Sequence, residues 1–164
     1  MLLAAGDAVA AHAAMTGAIL GAGADPLTRA RFLPAAIEIA LANGDTVSAR
    51  QSSIELADIA SRFPGPVLAA AAEEGRGVVA LADGEPAAAM ARLSDAATRW
   101  RSVGAPYEAA RCRMAGARAA ATMGDRTEAI RQARSALTAF EQLGARLNGK
   151  AAAGFLGHLE RPSS

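Results

Sequence analysis

Residues 85–145 read EPAAAMARLSDAATRWRSVGAPYEAARCRMAGARAAATMGDRTEAIRQARSALTAFEQLGA. Two glycine-acid pairs, Gly84-Glu85 and Gly124-Asp125, punctuate it, and between them the chain turns again at Gly104-Ala105-Pro106. Glycine suits the end of a helix, an acid caps the next one, and proline fits a first helical position where no N–H is needed. The stretch therefore reads as one helical hairpin and most of a second. Upstream, Gly6-Asp7 and Gly44-Asp45 belong with the glycine-acid pairs, while Gly23, Gly65 and Gly144 belong with Gly104. Within each class the glycines recur at a nearly constant interval of about 40 residues, and a fixed period of this size marks a stacked solenoid. One hairpin cannot bury its own apolar face and borrows its neighbour's.

Composition agrees. The chain has 164 residues, enough for one domain with a core, and it is 52% hydrophobic but only 4% aromatic, so the core must be built from small side chains. Alanine fills 46 positions, which favours helix and close helix approach. No run alternates with period two between turn signals, so no strand is expected. Arginine outnumbers lysine as the codons of a GC-rich genome would have it, and a net charge of +1 gives no drive toward nucleic acid or anionic membrane. The charge is unevenly spread: residues 1–91 carry 5 Arg against 10 acids, and residues 92–164 carry 12 Lys and Arg against 6 acids. Cys112 is alone, so no internal disulfide or cysteine metal site forms, as suits a reducing cytoplasm, and it reads as a small buried residue. Residues 8–24 are too few and too weakly apolar to span a bilayer, and no basic region precedes them as in a signal peptide. A cytoplasmic location without membrane contact is expected.

In chain order, Leu2 to Asp7 aligns with Ala40 to Asp45, so the chain is expected to begin inside a truncated first repeat, with Asp7 capping a helix to about Ala22. Further helices are expected from Asp25-Pro26 to about Asn43, started late or kinked by Pro34; from Asp45 to about Arg62; over 67–82; from Glu85-Pro86 to about Ser102; and from Pro106 to about Met123. Asp125 and Glu128 have the spacing of a capping box opening a helix to Leu143, a last helix spans about 147–159, and 160–164 form a flexible tail. The expected organisation is one helical-repeat domain over 1–159. Aligned on Gly44, Gly84 and Gly124, the repeats superpose Ala49, Ala89 and Ala129, Ala40, Ala80 and Ala120, and Trp100 on Phe140.

Small residues around the turn and along the second helix, such as Gly124, Ala129 and Ala136, resemble the tetratricopeptide pattern, whose usual period is about 34 residues. The longer period, with Trp100-Arg-Ser-Val-Gly-Ala-Pro-Tyr-Glu-Ala-Ala-Arg111, Gly124-Asp125, Ala129, Ala136, Phe140 and Leu143-Gly-Ala145, resembles the helical repeat region of large LuxR-type, MalT-like ATPase regulators. The resemblance covers a little over a third of the chain well and the rest by period. It implies an all-α, right-handed α-solenoid of antiparallel hairpins that senses an effector or protein between an ATPase and a helix-turn-helix. The family's ATPase and DNA-binding helices are not among these 164 residues, so transcriptional function is expected to belong to a parent protein, and no direct nucleic-acid binding by these residues is expected. The tetratricopeptide register further implies that the first helix of each pair lines a concave groove, with Arg31, Glu38 and Leu41, then Glu74, Val78 and Leu81, then Arg111, Met114 and Arg118 facing it. A merely solvated face is the other reading of the same charges.

Catalytic signals are thin. Gly144-Ala-Arg-Leu-Asn-Gly149-Lys150-Ala151 follows the phosphate-binding loop pattern until its last position, where alanine cannot ligate magnesium, and a helix rather than a strand precedes it. His12 and His158 lie at opposite ends with no partner at metal-ligand spacing, and the adjacent Glu73 and Glu74 point to different helix faces. No nucleophile has a recognisable base. We therefore read a non-catalytic binding and regulatory domain without cofactor, whose partner is a protein, a peptide or a small effector. The alternatives are a free-standing tetratricopeptide-like scaffold and an all-helical enzyme, the enzyme being set apart by an enclosed polar pocket in place of a shallow groove. The uncovered first hairpin and the uneven charge also predict a weak homodimer.

Trp100 should be a buried filler between hairpins, with Tyr107 or Phe140 nearby. Trp100→Ala is expected to cost about 3–5 kcal/mol, as other large core truncations do. Thermal melting measures it, and a variant that melts with the parent but loses a partner moves Trp100 from core to site.

Overall fold

The computed structural model describes residues 25–161 together with Ala10, Ala14, Gly17 and Gly21. Among the described residues the order is α1 (Pro26–Ala42), α2 (Thr46–Arg62), α3 (Pro66–Ala82), α4 (Pro86–Ser102), α5 (Pro106–Thr122), α6 (Arg126–Gln142) and α7 (Arg146–Glu160). The helix starts are evenly spaced along the chain, and α1 to α6 are equal in length. The sequence period is therefore two equal helical steps. The architecture is an all-α solenoid of antiparallel hairpins, with no strand among the described residues. None of the described helices is long and apolar enough to cross a membrane. Of the expected first helix only Ala10, Ala14, Gly17 and Gly21 are described, each of them helical; its Asp7 cap, the turn at Gly23 and most of the 160–164 tail lie outside the described residues.

One turn chemistry makes the step. Gly44, Gly84, Gly104, Gly124 and Gly144 have φ between 68° and 80°, the left-handed region that glycine enters without a Cβ penalty. After each of these helices the glycine N–H donates three residues back, as Gly124 to the Ala121 carbonyl at 3.0 Å. The following N–H donates five back, as Asp125 to Ala120 at 2.9 Å. That pair of bonds is a Schellman motif. Its last residue already caps the next helix, and the Asp45 and Asp125 carboxylates accept from Ser48 N–H and Glu128 N–H at 3.0 Å. Prolines at 26, 66, 86 and 106 occupy first helical positions.

Three local expectations are corrected. The reciprocal half of a capping box at Asp125 does not form: the Asp125 N–H is committed to Ala120, and the Glu128 carboxylate is held by Arg131 and Gln132. Gly65 is not a left-handed turn glycine, since it is extended at φ −168° and ψ 145°. The turn position aligned with the other glycines is Pro64, which has neither a positive φ nor an N–H, so the α2–α3 turn runs extended through Phe63 at φ −122°. Finally, α1 does not start late: Asp25 caps it through Thr28 N–H at 2.9 Å, and the helix continues through Pro34 with Leu33 and Ile37 buried on either side.

Consecutive helices pack against one another, and α1 also meets α3 while α3 meets α5. Odd-numbered helices thus form one layer and even-numbered helices the other. Ala49, Ala89 and Ala129 are fully buried, as the repeat alignment requires of contact points, and Ala40, Ala80 and Ala120 are buried as well. The core divides into a larger cluster running from α1 to α5 and a smaller one of α5, α6 and α7. Trp100 is buried at the end of α4 in the larger cluster, whereas Phe140 and Tyr107 belong to the smaller one, where their rings meet edge to face at 5.9 Å. The aromatic pair that forms is Tyr107 with Phe140, and the partner of Trp100 is polar, as described below.

Two helix-interior glycines test the packing. A Cβ on Gly77 would meet Leu93 Cγ at 2.7 Å, so Gly77→Ala is expected to destabilise despite gaining helix propensity, with overpacking costing about 1–3 kcal/mol. On Gly116 the nearest atoms lie at 3.9 Å, and Gly116→Ala should stabilise by about 0.5–1 kcal/mol. Urea unfolding of both variants checks the signs, and equal shifts would refute the packing.

Candidate functional site

On the inner layer, Glu38 and Leu41 of α1, Glu74, Val78 and Leu81 of α3, and Arg111, Met114 and Arg118 of α5 line one open cavity of about 390 Å³. Eight of the nine groove residues named from the repeat register thus share a wall. They do so because a spacing of three, four and seven residues keeps side chains on one face of each helix, and the constant helical step brings those faces together. Arg31 is the exception. It sits two turns before Glu38 on α1 and is exposed outside the cavity, because the groove occupies only the later half of that helix. The sequence reading missed Phe140 of α6 and Asn148 and Ala151 of α7, which also line the groove. One repeat beyond Arg111 stands Ala151, so its place could have been found, but Asn148 has no equivalent among the named residues. It is drawn in by Tyr107, whose hydroxyl donates to Asn148 Oδ1 at 3.3 Å.

One end of the groove is built around a carboxylate. Glu74 Oε2 accepts from Trp100 Nε1 at 2.8 Å, and Glu74 Oε1 faces Arg111 Nη2 at 3.3 Å. The same Arg111 nitrogen is ion-paired with Glu38. Glu74 is largely buried, with 14% of its side chain exposed, while Glu38 stands half in solvent. Burial raises the Glu74 pKa above its ordinary value; Arg111 and the Trp100 hydrogen bond oppose this, and the Glu38 and Glu108 charges add to it. Two carboxylates share one guanidinium, so this end is net negative. The floor between is apolar, made by Leu41, Val78, Leu81, Met114 and Ala115. Arg118 also lines the cavity and is exposed, and its guanidinium has no hydrogen-bond or ion-pair partner among the described residues. It lies seven residues beyond Arg111, about 10 Å along the helix. The groove is therefore an open trough with an apolar floor, a fixed acid cluster and, two turns along α5 from Arg111, an available cation.

Cys112 is buried in the wall, and burial together with the Glu74 charge pushes its thiol far up, so it stays protonated and a weak nucleophile. Among the described residues no group of three or more His, Cys, Asp or Glu could hold a metal ion. The nucleotide-loop look-alike folds as a Schellman turn at Gly144 followed by α7, with helix α6 before it.

Because the folded state raises the Glu74 pKa above its unfolded value, folding favours the protonated acid. The Glu74 contribution to stability is then most favourable below the ordinary carboxylate pKa and declines as pH rises through the raised value. Measured against Glu74→Gln by urea unfolding between about pH 4 and pH 8, the parent is expected to lose stability relative to the variant as pH rises, with the decline beginning near the ordinary value of 4.5. A constant or growing advantage would show that Arg111 and Trp100 outweigh burial.

Compared with known proteins, the chain matches no family model, and no curated protein is similar to it in sequence.

Proposed function

We propose that this chain is a non-catalytic recognition domain whose groove takes a peptide or a short effector with an apolar middle and an anionic end directed at Arg118. The observation that carries the reading is the convergence of Glu38, Leu41, Glu74, Val78, Leu81, Arg111, Met114 and Arg118 on one open, largely apolar trough that holds both an acid cluster and an unpaired cation. An open trough between rigid helices suits an extended ligand, whereas catalysis calls for polar groups converging on an enclosed point. Pre-formed walls also spare a ligand the cost of ordering the site, as the interhelical contacts and the Glu74 cluster hold them in place. The likeness of Trp100 to Arg111 and Gly124 to Ala145 to LuxR-type regulators supplies the setting we favour, a sensing segment within a larger transcription regulator.

Panning the full chain against a phage-displayed random peptide library tests the groove. Selected peptides are expected to combine aliphatic or aromatic residues with an acidic side chain or terminal carboxylate. Arg118→Gln should weaken them about tenfold or more, since it removes a charge-assisted hydrogen bond. Val78→Asp should weaken them too, with the circular dichroism of both variants unchanged. Recovery of no peptides, or of peptides that bind both variants like the parent, would remove the groove as the recognition surface.

A further inference from the structure

On the opposite side of α5 from the groove, α4, α5 and α6 enclose a second cavity of about 190 Å³. Arg101 of α4, Arg113 of α5 and Arg131 of α6 all line it, along with Ser94, Thr98 and Gln132. Only Arg131 has a carboxylate, held to Glu128 at 2.6 Å. The side chains of Arg101 and Arg113 have no hydrogen-bond or ion-pair partner among the described residues, although Arg113 is half-buried. Like charges so gathered repel, and burial with the charges of Arg101 and Arg131 lowers the pKa of Arg113 below its ordinary value.

The hairpin before it fills the equivalent position differently. One repeat upstream of Arg113 stands Glu73, which is ion-paired with Arg76 at 2.7 Å and Arg92 at 3.0 Å. The positions matching Arg76 and Arg92 one repeat later are Gly116 and Gln132. At the later crevice the acid has become a base, and both bases have become a glycine and an amide. The side chain missing at Gly116 leaves room, and Arg101 and Arg131 stand where Ser61 and Ala91 stand in the earlier repeat. An internal anion has been exchanged for an opening ringed by cations and hydrogen-bonding groups.

We propose that this crevice binds one tetrahedral oxyanion, of the phosphate or sulfate class, between Arg101, Arg113 and Arg131. Guanidinium forks match such oxygens in pairs, and Arg131 keeps donors free after its bonds to Glu128. The Ser94 hydroxyl and the second amide N–H of Gln132 add neutral donors, while the Thr98 hydroxyl is already committed to the Ser94 carbonyl at 3.1 Å. The volume falls below the roughly 300–1,000 Å³ of pockets for drug-sized ligands, so the site fits the charged group alone, either as the free ion or as the end of a phosphomonoester.

Thermal melting and calorimetric titration of the full chain with sodium phosphate, against sodium chloride at matched ionic strength, test the site. Phosphate is expected to bind saturably and to raise the melting temperature by mass action, with no such shift from chloride. Arg101→Gln and Arg113→Gln should each weaken phosphate about tenfold or more, while Arg62→Gln, an exposed arginine paired with Asp58 away from both cavities, should leave it unchanged. Arg101 is exposed and its side chain unpaired among the described residues, so its variant carries the test even if Arg113→Gln does not fold. O-phosphoserine binding more tightly than inorganic phosphate identifies an esterified phosphate as the occupant, and weaker binding identifies the free ion. Phosphate acting no differently from chloride, or Arg101→Gln binding it like the parent, overturns the proposal.

Discussion

The structure depends on a three-residue turn closed by a left-handed glycine. In each Schellman turn the residue after the glycine both closes the bond to the preceding helix and stands at the N-cap position of the next one, so no slack separates the two. Helices so joined must reverse and lie alongside each other. The equal helical step then keeps every face in register with the corresponding face two helices on. Alanine follows from this closeness: Ala49, Ala89 and Ala129 are fully buried where the helices approach, and a larger side chain there would force them apart. Pro64 shows what the constraint is made of, because without a positive φ or an N–H the chain crosses extended between α2 and α3.

Register between layers is what makes the groove. Acids from the first part of the chain, Glu38 and Glu74, meet a base from the second, Arg111, so part of the uneven charge along the sequence is neutralised within one cluster. Holding Glu74 away from water is costly, and its value lies in position rather than stability: the carboxylate fixes the Trp100 indole on one side and the Arg111 guanidinium on the other. Trp100 thus joins the core to the groove wall, where the sequence suggested a filler alone.

The same repeat supports different chemistry at equivalent places. Glu73 and Arg113 occupy the same step of successive inner helices, one inside an ion-pair set and the other beside two further arginines. Backbone geometry is held by glycine, proline and alanine, which leaves the remaining positions free to change charge without disturbing the stack.

Fold class and most helix limits were legible in the sequence, because glycine, proline and acid punctuation acts locally and repeats. Eight groove residues were legible for a related reason, since helical spacing determines which residues share a face. The reading slipped where one residue had two demands on it: Asp125 N–H was already used by Ala120, and Gly65 stood one place from the turn position that Pro64 holds. What the sequence could not reveal were contacts between distant segments, such as Trp100 donating to Glu74, Asn148 entering the groove through Tyr107, and the three arginines meeting across α4, α5 and α6. The sequence by itself determined the hairpins and their faces, because hydrogen bonds within a turn and a helix involve neighbours along the chain. Only the tertiary structure decided which charges meet and which stay apart, because that depends on how far each helix slides and rotates against the next when the small side chains close-pack.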